Sequence, residues 1–411
     1  MRARLVISGS AFCAALAALA FAHARRISHA PRDPRFVRFM RRNNLRANAN
    51  DVIPGRGLSL DRHGRPISLA EEGSTFQKVV DEIQLASGAP VRLTIDADLQ
   101  AKAESLMEGK HGAVVVLEPM TGRIRALVSA PRAAYLNRAL NGLYPPGSTF
   151  KVFMAAAALS TDLDPVFDCP AAGWRPNRST PPIRDAEAGD FLRQKKTWKG
   201  FGRIGMDEAM VHSANTYFAQ LGYALGPERF DDAVVAARLR DSATVLPADT
   251  ISLTGTGGGV PDGLSGAALA PVAIGQGALQ LTPLAVALMT AAVADDGLIL
   301  APTLSETAKP VLRARPFAIE AAQRVKKMMR AAVRRGTGRA CDVSGLDVCG
   351  KTGTAQTGKG ADHAWFTGFA PEASPRLVVT VLVEGGGFGA KAAAPVAREI
   401  FLEAQRLGYF K

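Results

Sequence analysis

Apolar positions gather into a few patterned blocks along the chain, and each predicts an element. Residues 113–117 (Ala-Val-Val-Val-Leu) and 124–128 (Ile-Arg-Ala-Leu-Val) are β-rich runs flanking the turn Pro119-Met-Thr-Gly122, and predict a hairpin. Toward the other end, 345–357, 364–370 and 376–384 predict three successive strands, and Val396–Leu407 predicts a closing helix. The region between reads as mostly helical. Strands at both ends with helices between them predict an α/β protein of the α+β type: an antiparallel sheet flanked by helices, with an inserted helical subdomain. The glycine-rich stretch 253–263 lacks the Lys-Ser/Thr ending of a phosphate-binding loop and is read as an ordinary loop.

A different block lies at the start. Leu5 to Ala22 are uncharged, apolar and rich in Ala, between Arg2/Arg4 and Arg25/Arg26. Its 18 residues sit at the threshold for spanning a bilayer. It reads either as a retained signal anchor or as a signal peptide, since Ala22-His23-Ala24 fits a small-residue cleavage site. Both readings export the remainder of the chain. The organisation expected is 1–26 as anchor or signal peptide, 27–88 as a short basic linker and reduced pedestal, and 89–411 as the main domain.

Charge supports that division. The formal net charge is +13, but residues 1–65 hold 13 Arg, no Lys and three Asp, a net of +10, which leaves +3 for the rest. The excess is therefore a juxtamembrane arginine cluster suited to anionic headgroups. Only Phe36 and Phe39 interleave with it, too few for the stacking surface nucleic-acid binding uses, so no nucleic-acid partner is expected. Nearly half the residues are apolar and no low-complexity block is long, which excludes a disordered chain. The six His are scattered and no C-x-x-C or H-E-x-x-H spacing occurs, so neither a metal nor a cofactor is expected.

The candidate chemistry begins at Ser148-Thr-Phe-Lys151. Positions i and i+3 share a helix face, so the lysine nitrogen can reach the serine oxygen. Pro145 and Pro146 block helix before the site, Gly147 permits close backbone approach, and the apolar run after Lys151 drives the helix into a core. Burial and the positive helix N-terminus disfavour the ammonium form of such a lysine. A neutral amine there can take the serine proton and so activate a nucleophile. Alone, S-x-x-K is weak, and a capped helix with a solvated lysine would look the same. Two further patterns decide against that. Ser213-Ala-Asn215 follows 65 residues after Ser148, at a helix end or helix–helix loop, and Lys351-Thr-Gly-Thr354 follows 138 residues after Ser213. S-x-x-K, S-x-N and K-T-G in this order are the motif set of penicillin-recognising serine enzymes.

At this point the chain resembles a class B penicillin-binding protein, a serine D,D-transpeptidase of the bacterial cell wall. The likeness extends to Arg56-Gly-Leu-Ser-Leu-Asp-Arg-His-Gly64, Leu93-Thr-Ile-Asp96 with Leu99-Gln100, and Gly112–Gly122. It continues through Gly275-Gln-Gly277 with Thr282-Pro283, Gly336-Thr-Gly338 and His363-Ala-Trp-Phe366. His63 stands where that family usually has Asn, Ala214 replaces a middle Asp, and the pedestal is shorter than usual.

The resemblance implies a serine transpeptidase/β-lactamase-like fold and assigns roles. Ser148 is the nucleophile and Lys151 its base. Ser213 relays the proton to the leaving D-Ala. Asn215 holds the substrate amide and Lys151, and Lys351 supplies positive charge near the substrate carboxylate, with Thr352, Gly353 and Thr354 forming the binding strand. The backbone N–H groups of Ser148 and Thr354 are the implied oxyanion donors. Implied partners are peptidoglycan stem peptides, β-lactams, and a polytopic glycosyltransferase of the SEDS type. The membrane would be met through residues 5–22 of a single-pass inner-membrane protein, with its catalytic domain outside. A D,D-carboxypeptidase shares every motif, and a non-catalytic β-lactam sensor or scaffold is the alternative from another class. A class A β-lactamase would add a Glu-x-x-Leu-Asn segment, which is absent. Cys341 and Cys349 bracket a hairpin-like stretch leading into Lys351. A disulfide between them would suit an oxidising compartment and brace the strand, and the alternative is two buried free thiols.

Overall fold

The computed structural model describes residues 59–69, 74–87, 89–132, 136–194, 196–358 and 360–411. The apolar run 5–22 and the arginine-rich stretch after it lie outside these residues. Among the described residues no helix is long and apolar enough to cross a membrane.

Five antiparallel strands form the central sheet. They are β1 (Gly112–Leu117), β2 (Ile124–Ala130), β3 (Cys349–Ala355), β4 (His363–Ala370) and β5 (Leu377–Val383), in the spatial order β3-β4-β5-β1-β2. The chain therefore lays down a hairpin, leaves for more than two hundred residues, and returns to pair β5 with β1, Val381 opposite Val114. The expected hairpin and the three late strands are all present. The first late strand starts at Cys349 rather than 345, because Gly345 and Asp347 take positive φ and form a turn.

Alternation along β5 explains how the sheet is covered. Val379 and Val381 point into one core, with Val114, Val116 and Phe366 beside them. Two helices close that face: α1 (Ala97–Leu106), through Leu99 and Ala103, and the long C-terminal helix Gly389–Arg406, through Ala393, Ala397, Ile400 and Phe401. Val378 and Leu382 point the other way, into the larger core shared with Val115, Leu127 and Trp365. A sheet buried on both faces needs strands apolar throughout, which β5 supplies. The exception is a run of buried hydroxyls, Thr290 to Thr367 at 2.7 Å and Thr367 to Thr380 at 2.8 Å. Each satisfies the next, so the core carries them without loss.

The larger core also contains α2 (Lys151–Leu159), where Lys151 to Ala158 are all buried, and Phe76, Val79 and Val80 of the helix Thr75–Ser87. The outer edge at β2 is partly occupied by a side chain: Gln100 accepts from the Leu127 N–H at 2.8 Å and donates to its carbonyl at 3.1 Å. The opposite edge, β3, remains available for an added strand. The glycine-rich stretch 253–263 begins with a short strand, Leu253–Gly255, paired to Ala243–Leu246, before becoming loop.

Candidate active site

Three pieces of backbone meet at the β3 edge. Gly147–Phe150 forms a single 3-10 turn that runs directly into α2, so Ser148 precedes the α-helix by one short turn rather than opening it. Gly147 has φ +53°, and a Cβ there would lie 2.6 Å from the Thr354 carbonyl oxygen. Only glycine lets the nucleophile turn lie this close to β3. The turn is held from behind as well: the Gly147 N–H donates to the Gly275 carbonyl at 2.9 Å, and Trp365 Nε1 donates to the Pro145 carbonyl at 3.0 Å.

The second piece joins α4 (Met206–His212) to α5 (Asn215–Leu225), with α3 (Ala186–Arg193) preceding them. Ser213 terminates α4 with φ +59°, a left-handed conformation rare for a residue with a Cβ. That turn aims its hydroxyl and its carbonyl into the site. Asn215 starts α5, and its Nδ2 donates to the Arg184 carbonyl at 3.0 Å.

Lys151 and Lys351 approach Ser213 from opposite sides, both fully buried. Lys151 Nζ donates to the Ser213 carbonyl at 2.5 Å and to Asn215 Oδ1 at 2.7 Å, and lies 3.2 Å from Ser213 Oγ. Lys351 Nζ donates to Ser213 Oγ at 2.8 Å and to the Thr352 carbonyl at 3.1 Å. Three acceptors surround Lys151 Nζ. An ammonium would use all three, whereas a neutral amine would use the two carbonyl-type ones and keep its lone pair to accept a proton. Burial brings Lys151 down to about 7, against the opposing pull of Asp185 and Glu187. Burial, and then the neighbouring Lys151, push Lys351 well below the ordinary lysine range. These surroundings disfavour the ammonium form of Lys351, and an incoming carboxylate would favour it.

All eight residues read from the sequence belong to this junction. Ser148 is half-buried at the turn, and Thr352 and Thr354 extend along β3. Gly353 faces the turn itself, where a Cβ would sit 3.0 Å from the Pro146 carbonyl oxygen. The Lys151 contacts run to Ser213 and Asn215; among the described residues none joins Nζ to the Ser148 hydroxyl. Such bonds are commonly long before substrate arrives. Thr337, within a motif the sequence marks without a role, receives a hydrogen bond from the Thr352 hydroxyl at 2.9 Å. Gln276 donates to the Thr354 carbonyl at 3.4 Å. Asp185 accepts from the Thr216 N–H at 3.0 Å and from its hydroxyl at 2.6 Å. Nothing in the spacing of Asp185 signals this, since it lies in an irregular stretch 28 residues before Ser213.

Of the two alternatives for Cys341 and Cys349, the structure has the free thiols, and both are fully buried. Cys341 packs in the core behind the C-terminal helix with Val343 and Leu346, while Cys349 joins the core on the opposite face of the sheet. Side chains directed to different cores cannot meet. Among the described residues no group of three or more His, Cys, Asp or Glu is arranged to hold a metal ion.

A serine, two buried lysines and a second serine between them, set against an open strand edge, define a serine acyl-transfer site. Residues 112–402 match the model of the penicillin binding protein transpeptidase domain, and the chain belongs to that family. It is 31% identical to the peptidoglycan D,D-transpeptidase PbpA of Mycolicibacterium smegmatis, over 78% of this chain and 73% of that one. Identity is also 31% to the peptidoglycan D,D-transpeptidase MrdA of Haemophilus influenzae, over 76% of this chain and 56% of that one. Among solved structures, the D,D-transpeptidase domain of a peptidoglycan glycosyltransferase from Eggerthella lenta superposes with a TM-score of 0.72 at 25% identity, covering 86% of this chain and 98% of that one. The penicillin G acyl-enzyme complex of penicillin-binding protein A from M. tuberculosis superposes with a TM-score of 0.65 at 28% identity, covering 79% and 84%.

Proposed function

We propose that this protein is a serine-type peptidoglycan D,D-transpeptidase that β-lactams acylate at Ser148. The observation that carries the reading is the pair of lysines flanking the Ser213 hydroxyl at 3.2 and 2.8 Å, beside the nucleophile turn.

The reaction is set by where protons can go. Ser148 Oγ attacks the penultimate D-Ala carbonyl while its proton passes to the Lys151 lone pair. Negative charge developing on the carbonyl oxygen would meet the backbone N–H groups of Ser148 and Thr354, a role supported by the close approach of Gly147 to the Thr354 carbonyl. The terminal D-Ala leaves as an amine and needs a proton. Ser213 supplies it, refilled from the lysine chain on either side. The substrate carboxylate binds at Lys351 with the Thr352 and Thr354 hydroxyls, and Thr337 orients Thr352. The amino group of a second stem peptide then attacks the ester, releasing Ser148 and forming the crosslink. A β-lactam ring opens by the same first step, but its leaving nitrogen stays tethered.

The N-terminal 5–22 run is proposed as an uncleaved anchor in the inner membrane, with the catalytic domain on the periplasmic side. Its apolar length and the exported chemistry support this. A SEDS-type glycosyltransferase is the proposed partner, a reading that rests on family likeness alone.

Incubation of the full-length protein with benzylpenicillin tests the enzyme, by mass spectrometry of the peptide containing Ser148. One penicilloyl adduct is expected, absent from Ser148→Ala; an unmodified peptide overturns the reading. Crosslinked dimer formed from pentapeptide substrate, rather than free D-Ala alone, separates transpeptidase from carboxypeptidase. Retention of the intact N-terminus in washed membranes tests the anchor.

A further inference from the structure

Asp185 is buried beside the catalytic lysine, yet neither the motif set nor the reaction steps use it. Both its oxygens are committed to one residue: the Thr216 N–H at 3.0 Å and the Thr216 hydroxyl at 2.6 Å. Thr216 is the second residue of α5, directly after Asn215. Asp185 therefore satisfies a free N–H in the first turn of the helix that presents Asn215. The preceding residue is tied to the same place, since the Arg184 carbonyl accepts from Asn215 Nδ2 at 3.0 Å. Residues 184–185 form a strap across the start of α5, and Asn215 is held between that strap and Lys151 Nζ at 2.7 Å.

We propose that Asp185 is a positioning residue for acylation, which fixes Asn215 through Thr216 and provides the buried counter-charge to Lys151. The proposal rests on the transpeptidase reading and adds a residue to it. A capping role alone would be met by Asn, Ser or Thr. Burying a carboxylate is costly unless hydrogen bonds or a neighbouring charge offset it. The two Thr216 bonds do the first, and Asp185 in turn favours the protonated form of Lys151.

Among the described residues, the charged groups acting on Lys151 come from the strap, α3 and β3. Asp185 and Glu187, from the strap and the first turn of α3, oppose the effect of burial, Asp185 more strongly. Lys351, from β3, acts in the other direction. Ser213 and Asn215 are neutral, and α5 adds the Phe218 ring 5.5 Å from Nζ. His212, at the end of α4, faces Glu187 and lies 3.6 Å from Glu208. Removing the Asp185 charge leaves burial less opposed, so Lys151 loses its proton at lower pH and becomes a weaker base. The two consequences are distinguishable: the acid limb of acylation moves down in pH, and the plateau at high pH falls.

The test measures the second-order rate constant of benzylpenicillin acylation against pH, with the full-length protein. In Asp185→Asn the midpoint of the acid limb is expected to fall by roughly half a pH unit or more. Its rate relative to wild type should then be about threefold higher at pH 6 than at pH 9. Thr216→Val loses the hydroxyl bond but no charge, and should lower the plateau with the midpoint unmoved. An unshifted midpoint in Asp185→Asn overturns the proposal, as does an equal shift in Thr216→Val. Should Asp185→Asn not fold, Asp185→Ser replaces it, with the same two deciding outcomes. A wild-type protein that is not acylated at any pH would sink the transpeptidase reading instead, so the two failures are separable.

Discussion

Trp365 of β4 donates its indole N–H to the carbonyl of Pro145 at 3.0 Å, tying the second strand of the sheet to the residue three before the nucleophile. The indole is fully buried while Pro145 is half-buried, so water can partly replace the bond at one end only. Trp365→Phe should lower stability by about 1 kcal/mol for the lost bond, with a further cost for the missing ring volume. The larger effect is expected on rate. A nucleophile turn released by a fraction of an ångström should slow acylation on the order of tenfold. Thermal unfolding and fluorescent-penicillin labelling, measured on the same preparation, separate the two. A stability loss with an unchanged labelling rate would show that the turn is held adequately without Trp365.

Gly147 makes a sharper case. Its φ of +53° costs an L-residue about 1 kcal/mol or more, and a Cβ would lie 2.6 Å from the Thr354 carbonyl oxygen. Gly147→Ala must push the turn away from β3, separating the Ser148 and Thr354 N–H groups that would bind the oxyanion. Loss of one such donor typically costs a factor of roughly a hundred or more. Labelling by penicillin should therefore fall by about that factor, while circular dichroism stays near wild type. Labelling within about threefold of wild type would remove the oxyanion role from this pair.

How much of this was legible in the sequence depends on whether a residue type is demanded by chemistry or by packing. Ser148, Lys151, Ser213, Asn215 and Lys351 could be picked out as candidates because the chemistry proposed for them restricts what can stand there. The fold brings Lys151, Ser213, Asn215 and Lys351 together. The β5 strand was readable because a doubly covered strand is apolar along nearly its whole length, Thr380 being the one exception. The C-terminal helix was less so: it begins at Gly389, seven residues before the expected Val396, with Pro395 inside it. Its start is set by tertiary approach, since a Cβ on Gly389 would meet the Gly353 and Trp365 carbonyl oxygens at 2.3 Å. No local pattern encodes that contact. Ser213 in a left-handed turn was likewise invisible, because no local pattern marks a non-glycine residue for positive φ. Asp185 was missed since a lone acidic residue in a loop has no period and no partner until the chain is folded. The choice between a disulfide and two free thiols stayed open in the sequence because short spacing between two cysteines says nothing about which face of a sheet each enters.

Thiol titration checks the last point. Burial pushes the Cys341 and Cys349 thiols far up, so the nucleophilic thiolate is scarce and shielded. Cys169 is raised to about 11 by the same cause. Ellman's reagent should react slowly with these three in the folded protein. In denaturant without reductant it should count all four cysteines of the chain. Dithiothreitol should leave the melting temperature unchanged. A count of two in denaturant, restored to four by reductant, would establish a disulfide and contradict the free thiols.

Lys151, the proposed base, gives the most direct prediction on pH. Lys151 is brought down to about 7 by burial, so its neutral fraction falls as pH drops through that value. Acylation by a β-lactam should lose about tenfold per pH unit below the midpoint and level off above it. The sign is set by which form reacts: the base must be unprotonated, so acid inactivates and alkali does not, until other groups titrate. Lys151→Arg preserves positive charge and hydrogen-bond donors but cannot give up its proton near neutrality. It should lose roughly three orders of magnitude or more in acylation rate at pH 7, with no recovery up to pH 9. The buried guanidinium also needs more room than the amine, so folding is checked by thermal unfolding before the rates are compared. An Arg variant that acylates with a normal pH profile would place the base elsewhere, with Lys351 acting through the Ser213 hydroxyl at 2.8 Å as the next group in line.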